Sequence, residues 1–200
     1  MTFAWTEHRF SGGALALDLV NTVIYRQAPQ RALDRFDDRV QMAAFAAAAS
    51  RFRAEELGGA RLRAPATEEQ ASRLIDLREA INRLFRDAVA DEAYGAAHMG
   101  AFLRLAANGV EEQPDARLRL AGGGNGDLGD LPLNVAAVLS AMRLLDQRWQ
   151  SRIKICPNCH WLYLDQSRNR SRRWCDMAIC GNRAKAKRHY SRRNGDETAL

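Results

Sequence analysis

Apolar positions recur at helical spacing over several stretches of the chain. After Thr67, the residues Leu74, Leu77, Ile81, Leu84, Phe85 and Ala88 follow a 3.6-residue period. Thr67 to Gln70 reads as a capping box, so a helix is expected over 68–92. Residues 34–57, DRFDDRVQMAAFAAAASRFRAEEL, are Ala-rich, lack Gly and Pro, and open with acids that suit a helix N-terminus. Residues 132–150 place Pro132 near a helix start and align Val135, Val138, Leu139, Met142, Leu145 and Trp149 as an apolar stripe. That stripe is expected to be core, with a pocket between helices or a homodimer face as its other uses. A shorter helix around 96–107 is expected to stop at Asn108-Gly109.

Other segments carry weaker patterns. ALALDLVNTVIY (14–25) is apolar enough to be buried but does not separate strand from helix. RLRLA (117–121) fits a short strand, and AGGGNGDLGD (121–130) a flexible linker, since it lacks the GK[ST] ending of a phosphate-binding loop. No internal repeat is visible. Residues 1–150 therefore read as a mainly helical domain, and the composition changes at about Ser151.

Composition sharpens that boundary. The 200 residues are 46% hydrophobic and 27% charged, ordinary for a soluble protein. No window approaches the ~18 apolar residues of a membrane span, and MTFAWTEHRFSGG lacks the layout of a secretory signal. A cytoplasmic location with reduced cysteines is the expectation. Residues 1–150 hold 18 Lys+Arg against 20 Asp+Glu, a net of −2, whereas residues 151–193 hold 12 against 2, a net of +10. A neutral-to-acidic body with a basic end suggests a polyanionic partner.

All four cysteines lie in that end, as Cys156-x2-Cys159-x15-Cys175-x4-Cys180. Two closely spaced pairs suit a closed tetrahedral zinc site, and Pro157-Asn158 is turn chemistry that aims two sulfurs at one point. A disulfide framework would need an oxidising compartment. A redox CxxC would leave Cys175 and Cys180 unexplained, and four unrelated buried thiols would not fall as two pairs. One structural zinc ion held by Cys156, Cys159, Cys175 and Cys180 is expected, with His160 beside the site rather than in it. Trp161, Tyr163 and Trp174 are the expected small core of the zinc module, which at about 40 residues buries little unaided.

Gly181 allows a turn after Cys180, Asn182 is the expected N-cap, and RAKAKRHYSRR continues as a helix without a breaker. Arg183, Lys185, Lys187, Arg188, Arg192 and Arg193 form its basic faces, with Ala186 and Tyr190 expected to rest on the module. A second cluster, SRNRSRR (167–173), adds Arg170, Arg172 and Arg173. Arginine forks suit phosphates and base edges, so nucleic acid is the expected partner. No arrangement of Asp165, Asp176, His160 and His189 suggests a catalytic metal, and no enzyme activity is expected.

CPNCHWLYLD and SRRWCDMAICGNRAKAKR, most of residues 155–188, resemble the CGNR zinc-finger family, named for the motif that is Cys180-Gly181-Asn182-Arg183 here. The body, including LALDLVNT at 15–22, more loosely resembles the helical ABATE-type domain usually joined to that finger. The resemblance implies a bacterial, stress-related transcription regulator in which the finger binds DNA and the body senses or regulates. The expected fold is thus mainly α: a helical domain over 1–150 and, over 151–200, a small treble-clef-like zinc module of β-hairpin and helix with a short polar tail. The expected partner is duplex DNA at the nucleoid, with a small-molecule effector for the body. RNA binding, ribosome association, or a protein–protein adaptor role are the alternatives.

Overall fold

A computed structural model of the chain describes residues 3–112 and 129–193. The expected strand at 117–121, most of the 121–130 linker and the polar tail lie outside them. The segment that sequence left open is resolved into two elements. Leu15–Val20 forms helix α1, and all six residues are buried. Val23–Ile24 forms strand β1, antiparallel to β2, Leu33–Asp34. A helix buried on every side belongs at the centre of a core, and α1 packs against two longer helices: α4, Glu68–Asp91, and α6, Leu133–Leu144.

The expected helix over 34–57 is divided. Asp34 caps a 3-10 turn at Arg35–Asp37, and Asp38 caps α2, Arg39–Phe52, by accepting from the Val40 N–H at 2.9 Å. The helix breaks at Arg53 before the short α3, Ala54–Leu57. Arg53 donates from Nε to the buried Asp18 at 2.6 Å and from Nη2 to the Phe10 carbonyl at 2.5 Å. Burial pushes the Asp18 carboxyl up to about 6, against the pull of Arg53 and the Gly12 N–H.

Helix α4 matches expectation closely. Thr67 accepts from the Gln70 N–H at 3.2 Å, and Gln70 reaches back to the Ala66 N–H at 2.9 Å. Helix α5, Ala96–Glu111, runs through the expected stop at Asn108-Gly109. Gly109 is buried there beside α6: a Cβ would meet Asn134 Nδ2 at 3.2 Å. Close helix approach, rather than chain reversal, accounts for this glycine.

The expected helix over 132–150 also divides, into α6 and α7, Gln147–Gln150, because Asp146 caps the second piece by accepting from the Arg148 N–H at 3.0 Å. Val135 and Val138 are buried, as are Ala136, Ala137, Ala141 and Leu144, but Met142 faces solvent. Leu139, Leu145 and Trp149 are half-buried, so the expected stripe lies only partly inside the core. Before α4, strand β3, Arg61–Arg63, pairs in parallel with β4, Asp130–Pro132. The last pair is antiparallel: β5, Ile153–Ile155, and β6, Leu162–Leu164, in the register Ile153↔Leu164 and Ile155↔Leu162.

This hairpin joins the main core directly. Ile153, Leu162 and Leu164 are buried within the same apolar cluster as α1, α4 and α6. Asn21, buried just after α1, clamps Leu162 from both sides of its backbone: Nδ2 donates to the carbonyl at 2.8 Å and Oδ1 accepts from the N–H at 3.1 Å. The Gly12 carbonyl accepts from the Leu164 N–H at 2.7 Å, extending the pairing at the other strand end. Arg86 of α4 donates to the His160 carbonyl at 2.7 Å.

Candidate metal centre and basic face

The strand end of β5 and a tight turn set the first cysteine pair. The Cys156 N–H donates to the Trp161 carbonyl at 2.9 Å, and the His160 N–H returns to the Cys156 carbonyl at 2.8 Å. His160 takes a left-handed φ of 60° to close this knuckle. Its side chain is exposed, and the four-sulfur cluster does not include it. Cys180 arrives on a π-helical turn, Met177–Gly181, that runs without a break into α8, Asn182–Arg193.

Asp176, not Asn182, provides the cap. Its Oδ1 accepts from the Ile179 N–H at 3.0 Å, while its carbonyl accepts from Cys180 and Gly181 at 2.9 and 3.1 Å. Asn182 already has helical dihedrals, and its amide donates to the Ala178 carbonyl at 2.9 Å. Gly181 does not reverse the chain. It is buried within the π turn, where a Cβ would collide with the Met177 side chain. Tyr190 and Ala186 face solvent, and Ala184 is the half-buried alanine of α8. The expectation that Ala186 and Tyr190 rest on the module is corrected accordingly.

The four sulfurs lie within 4.8 Å of one another, with Cys159 to Cys175 at 3.4 Å and Cys175 to Cys180 at 3.6 Å. All four cysteines are free, so no disulfide competes for the sulfurs. A tetrahedron of thiolates about 2.3 Å from zinc has edges of about 3.8 Å, so the set fits one ion. Hydrogen bonding among the sulfurs pulls the Cys156 thiol down but pushes Cys159 and Cys175 up, each chiefly through Cys156. Four thiolates this close need a cation, and zinc supplies it as a structural ion joining the hairpin, the loop and the π turn.

Polar contacts hold the shell around the cluster. Asn158 Nδ2 points at Cys180 Sγ from 3.4 Å. Tyr163 is buried with Cys156, Cys175 and Cys180, with Trp161 and Trp174 packed against them as expected. The Tyr163 hydroxyl donates to the Arg172 carbonyl at 2.8 Å. Asp165, fully buried, organises the loop between the cysteine pairs. It accepts from Lys154 Nζ at 2.6 Å, from the Ser167 N–H and hydroxyl at 3.0 and 2.5 Å, and from the Arg172 N–H at 3.0 Å. Burial opposes its charge, yet these donors, led by Lys154, hold the carboxyl well below the usual range.

The arginines of this loop divide into two kinds. Arg172 turns inward: Nε donates to the Trp174 carbonyl at 2.9 Å, Nη2 to the Ser11 carbonyl at 3.3 Å and to the Cys175 carbonyl, and the guanidinium lies 5.0 Å from the Tyr163 ring centre. Arg168, Arg170 and Arg173 are exposed, as are Arg183, Lys185, Lys187 and Arg188 on α8. None of these seven makes an ion pair among the described residues. The side chains of Arg192 and Arg193 lie outside the described residues.

Sequence reasoning passed over Arg168 as a surface cation, Asp165 as a buried hub and Asp176 as a cap. An acid three residues before Ile179 is a capping signal that was available in DMAI. It also passed over Asn21, whose role exists only once β6 is docked beside it.

Two family models match the chain end to end with little between them. Residues 152–193 match the CGNR zinc finger, and residues 13–147 match ABATE, described as "Putative stress-induced transcription regulator". No curated protein matches the chain. The second match spans more than half of the residues, and the sulfur cluster falls inside the first. The chain belongs to the ABATE family and carries a CGNR zinc finger at its C-terminal end.

Proposed function

We propose that this protein is a transcription regulator that grips duplex DNA with the exposed cations of the zinc module. The observation that carries this reading is the set of seven unpaired, exposed cations on two segments tied to one metal centre. Arg183, Lys185, Lys187 and Arg188 project from α8, whose start is fixed by Cys180 and the Asp176 cap. Arg168, Arg170 and Arg173 project from the loop that Asp165 folds. A charge run on a free chain is a solvated tail, whereas charges held at fixed spacing match the regular spacing of phosphates. Arg172 contributes by holding the loop rather than by touching DNA. Arg192 and Arg193 extend the same run in sequence and belong to the proposed contact set.

The role of zinc is structural. It offsets half of the thiolate charge and lets the module keep its shape, while the protein's own Arg and Lys side chains meet the polymer. Binding should weaken with salt, with log K falling against log salt at a slope of roughly −5 to −7 for six to eight neutralised phosphates. Titration of the zinc-loaded protein with duplex DNA, single-stranded DNA and structured RNA at several salt concentrations tests this. A preference for RNA would overturn the DNA assignment, and salt-independent binding would overturn the electrostatic basis. Among the described residues no helix is long and apolar enough to cross a membrane.

A further inference from the structure

A cleft of about 380 Å³ opens where the body meets the zinc module. Its walls come from the N-terminal segment, from the β1–β2 loop and from the first turn of α8, and Cys159, Cys175 and Cys180 form part of its floor. Four guanidiniums line it: Arg9, Arg31, Arg35 and Arg183. None has a carboxylate partner among the described residues. The one acid on the walls, Asp176, is already paired with His8 at 2.7 Å. A four-thiolate zinc centre carries about two negative charges, fewer than the four guanidiniums present.

The arginines are held ready. Arg35 lies 3.9 Å from the Phe3 ring centre and Arg31 4.5 Å from the Tyr25 ring centre. Burial, and then the neighbouring charge of Arg9, lowers the Arg35 pKa, which marks crowded cations without an anion. The loop carrying Arg31 and Arg35 is itself anchored. Asp34 takes a two-point bond from the buried Arg78 at 2.7 and 2.5 Å, and Arg26 forms another with Glu79 at 2.7 and 2.8 Å.

A second, independent observation concerns unmet hydrogen bonds. Ser11 Oγ, Arg35 Nε and Trp161 Nε1 are buried and have no hydrogen-bond partner among the described residues, and all three residues line this cleft. Each can donate, and a buried donor left unpaired is destabilising. An excess of guanidiniums, with further donors on three of the lining residues, selects a ligand that is anionic and rich in acceptors. Ile24, Leu33 and Tyr25 add apolar surface to the same walls, and Leu33 and Tyr25 are both exposed. The volume falls in the range of small-molecule sites, about 300–1,000 Å³.

We propose that this junction cleft is a binding site for a small organic phosphate of mononucleotide size. Its phosphoryl group sits among Arg9, Arg31, Arg35 and Arg183, and its ring lies against Tyr25 and Leu33. Such a ligand touches the body and the first turn of α8 together, so it is placed to couple the two. The site does not depend on the DNA-binding assignment, although Arg183 belongs to both.

The test uses the full-length, zinc-loaded protein and AMP, GMP and inorganic phosphate as probes, read by calorimetry and by Trp fluorescence. The expected result is saturable binding of a nucleoside monophosphate at least tenfold tighter than inorganic phosphate. Arg35→Gln and Arg31→Gln, the latter at an exposed residue, should each weaken it at least tenfold, with zinc content and helicity unchanged. Absence of saturable binding by AMP and GMP, or unaltered affinity in Arg31→Gln, overturns the proposal. A parallel DNA titration separates the two readings. Lys187→Gln should weaken DNA and leave AMP untouched, and Arg31→Gln the reverse. If Arg31→Gln weakens DNA as strongly as AMP, the cleft is part of the DNA footprint and the small-ligand site is refuted.

Discussion

The body and the zinc module reach order by different means. The body surrounds α1 with apolar side chains, and six residues that never meet water anchor everything else. The module has one small buried cluster, made of three cysteines and Tyr163, and relies on a metal and on Asp165 for the remainder. Yet the boundary is not a clean division. One face of the β5–β6 hairpin belongs to the core of the body, and Asn21 holds the hairpin backbone. The hairpin is thus shared, whereas α8 and the basic loop rely on the metal, on the buried Asp165 and on the Asp176 cap. A small fold can in this way borrow a core for one half and use an ion for the other.

The largest effect that would break this comparison comes from the metal. Cys175→Ser, or removal of zinc by chelation, should abolish DNA binding and lower the helical signal of α8. The unfolding transition of the body should remain. Metal content, circular dichroism and a DNA titration check this, and collapse of the whole chain would show that the body too depends on zinc. Next comes Asp165→Ala, which strands Lys154 and the Ser167 and Arg172 N–H groups. Because these bonds fold the loop that leads to Cys175, a zinc affinity about tenfold weaker is expected in competition with a chelator.

At the seam, Asn21→Leu removes both bonds to Leu162 and leaves two buried backbone groups unpaired. A loss of about 2–4 kcal/mol in denaturant unfolding is expected, with zinc stoichiometry intact. Loss of zinc in this variant would mean that the body shapes the metal site itself.

Acid separates the regions by sign. The Asp165 pKa is depressed, so its contribution is present above the usual carboxylate pKa and is lost as pH falls through that range. The Asp18 pKa is raised from 3.8 to about 6, so its contribution is full below 3.8 and is lost as pH rises to about 6, worth up to about 3 kcal/mol. Thermal unfolding against pH should therefore respond in opposite directions in Asp18→Asn and Asp165→Asn. Matching pH profiles would contradict the environments described for these two acids.

Much of the site was legible in sequence because its chemistry is local. Cys156-x2-Cys159 and Cys175-x4-Cys180 announce two chelating pairs, and the apolar period after Thr67 announces α4. What sequence hid was decided by tertiary contact. Arg53 breaks a favourable Ala-rich helix because a buried carboxylate, 35 residues earlier, needs it. Strands of two or three residues give no period to detect, and β3 meets β4 only across the long span that separates them. Arg172 looked like its neighbours in SRNRSRR, and only the folded loop shows it facing inward. Asn182 and Asp176 are both good capping residues, and the π turn fixed which one acts.

The smallest effects concern single surface charges. Lys187→Gln and Arg173→Gln should each reduce the salt slope of DNA binding by about 1 and leave Tm unchanged. Arg172→Gln should instead lower Tm, because its guanidinium holds carbonyls rather than phosphates.

The most direct test of the central claim is a fluorescence-anisotropy titration of duplex DNA with the zinc-loaded protein across a salt series, repeated after chelation. A metal-built basic face predicts a slope of roughly −5 to −7 and no binding once zinc is removed. Binding that survives chelation, or that ignores salt, would contradict it.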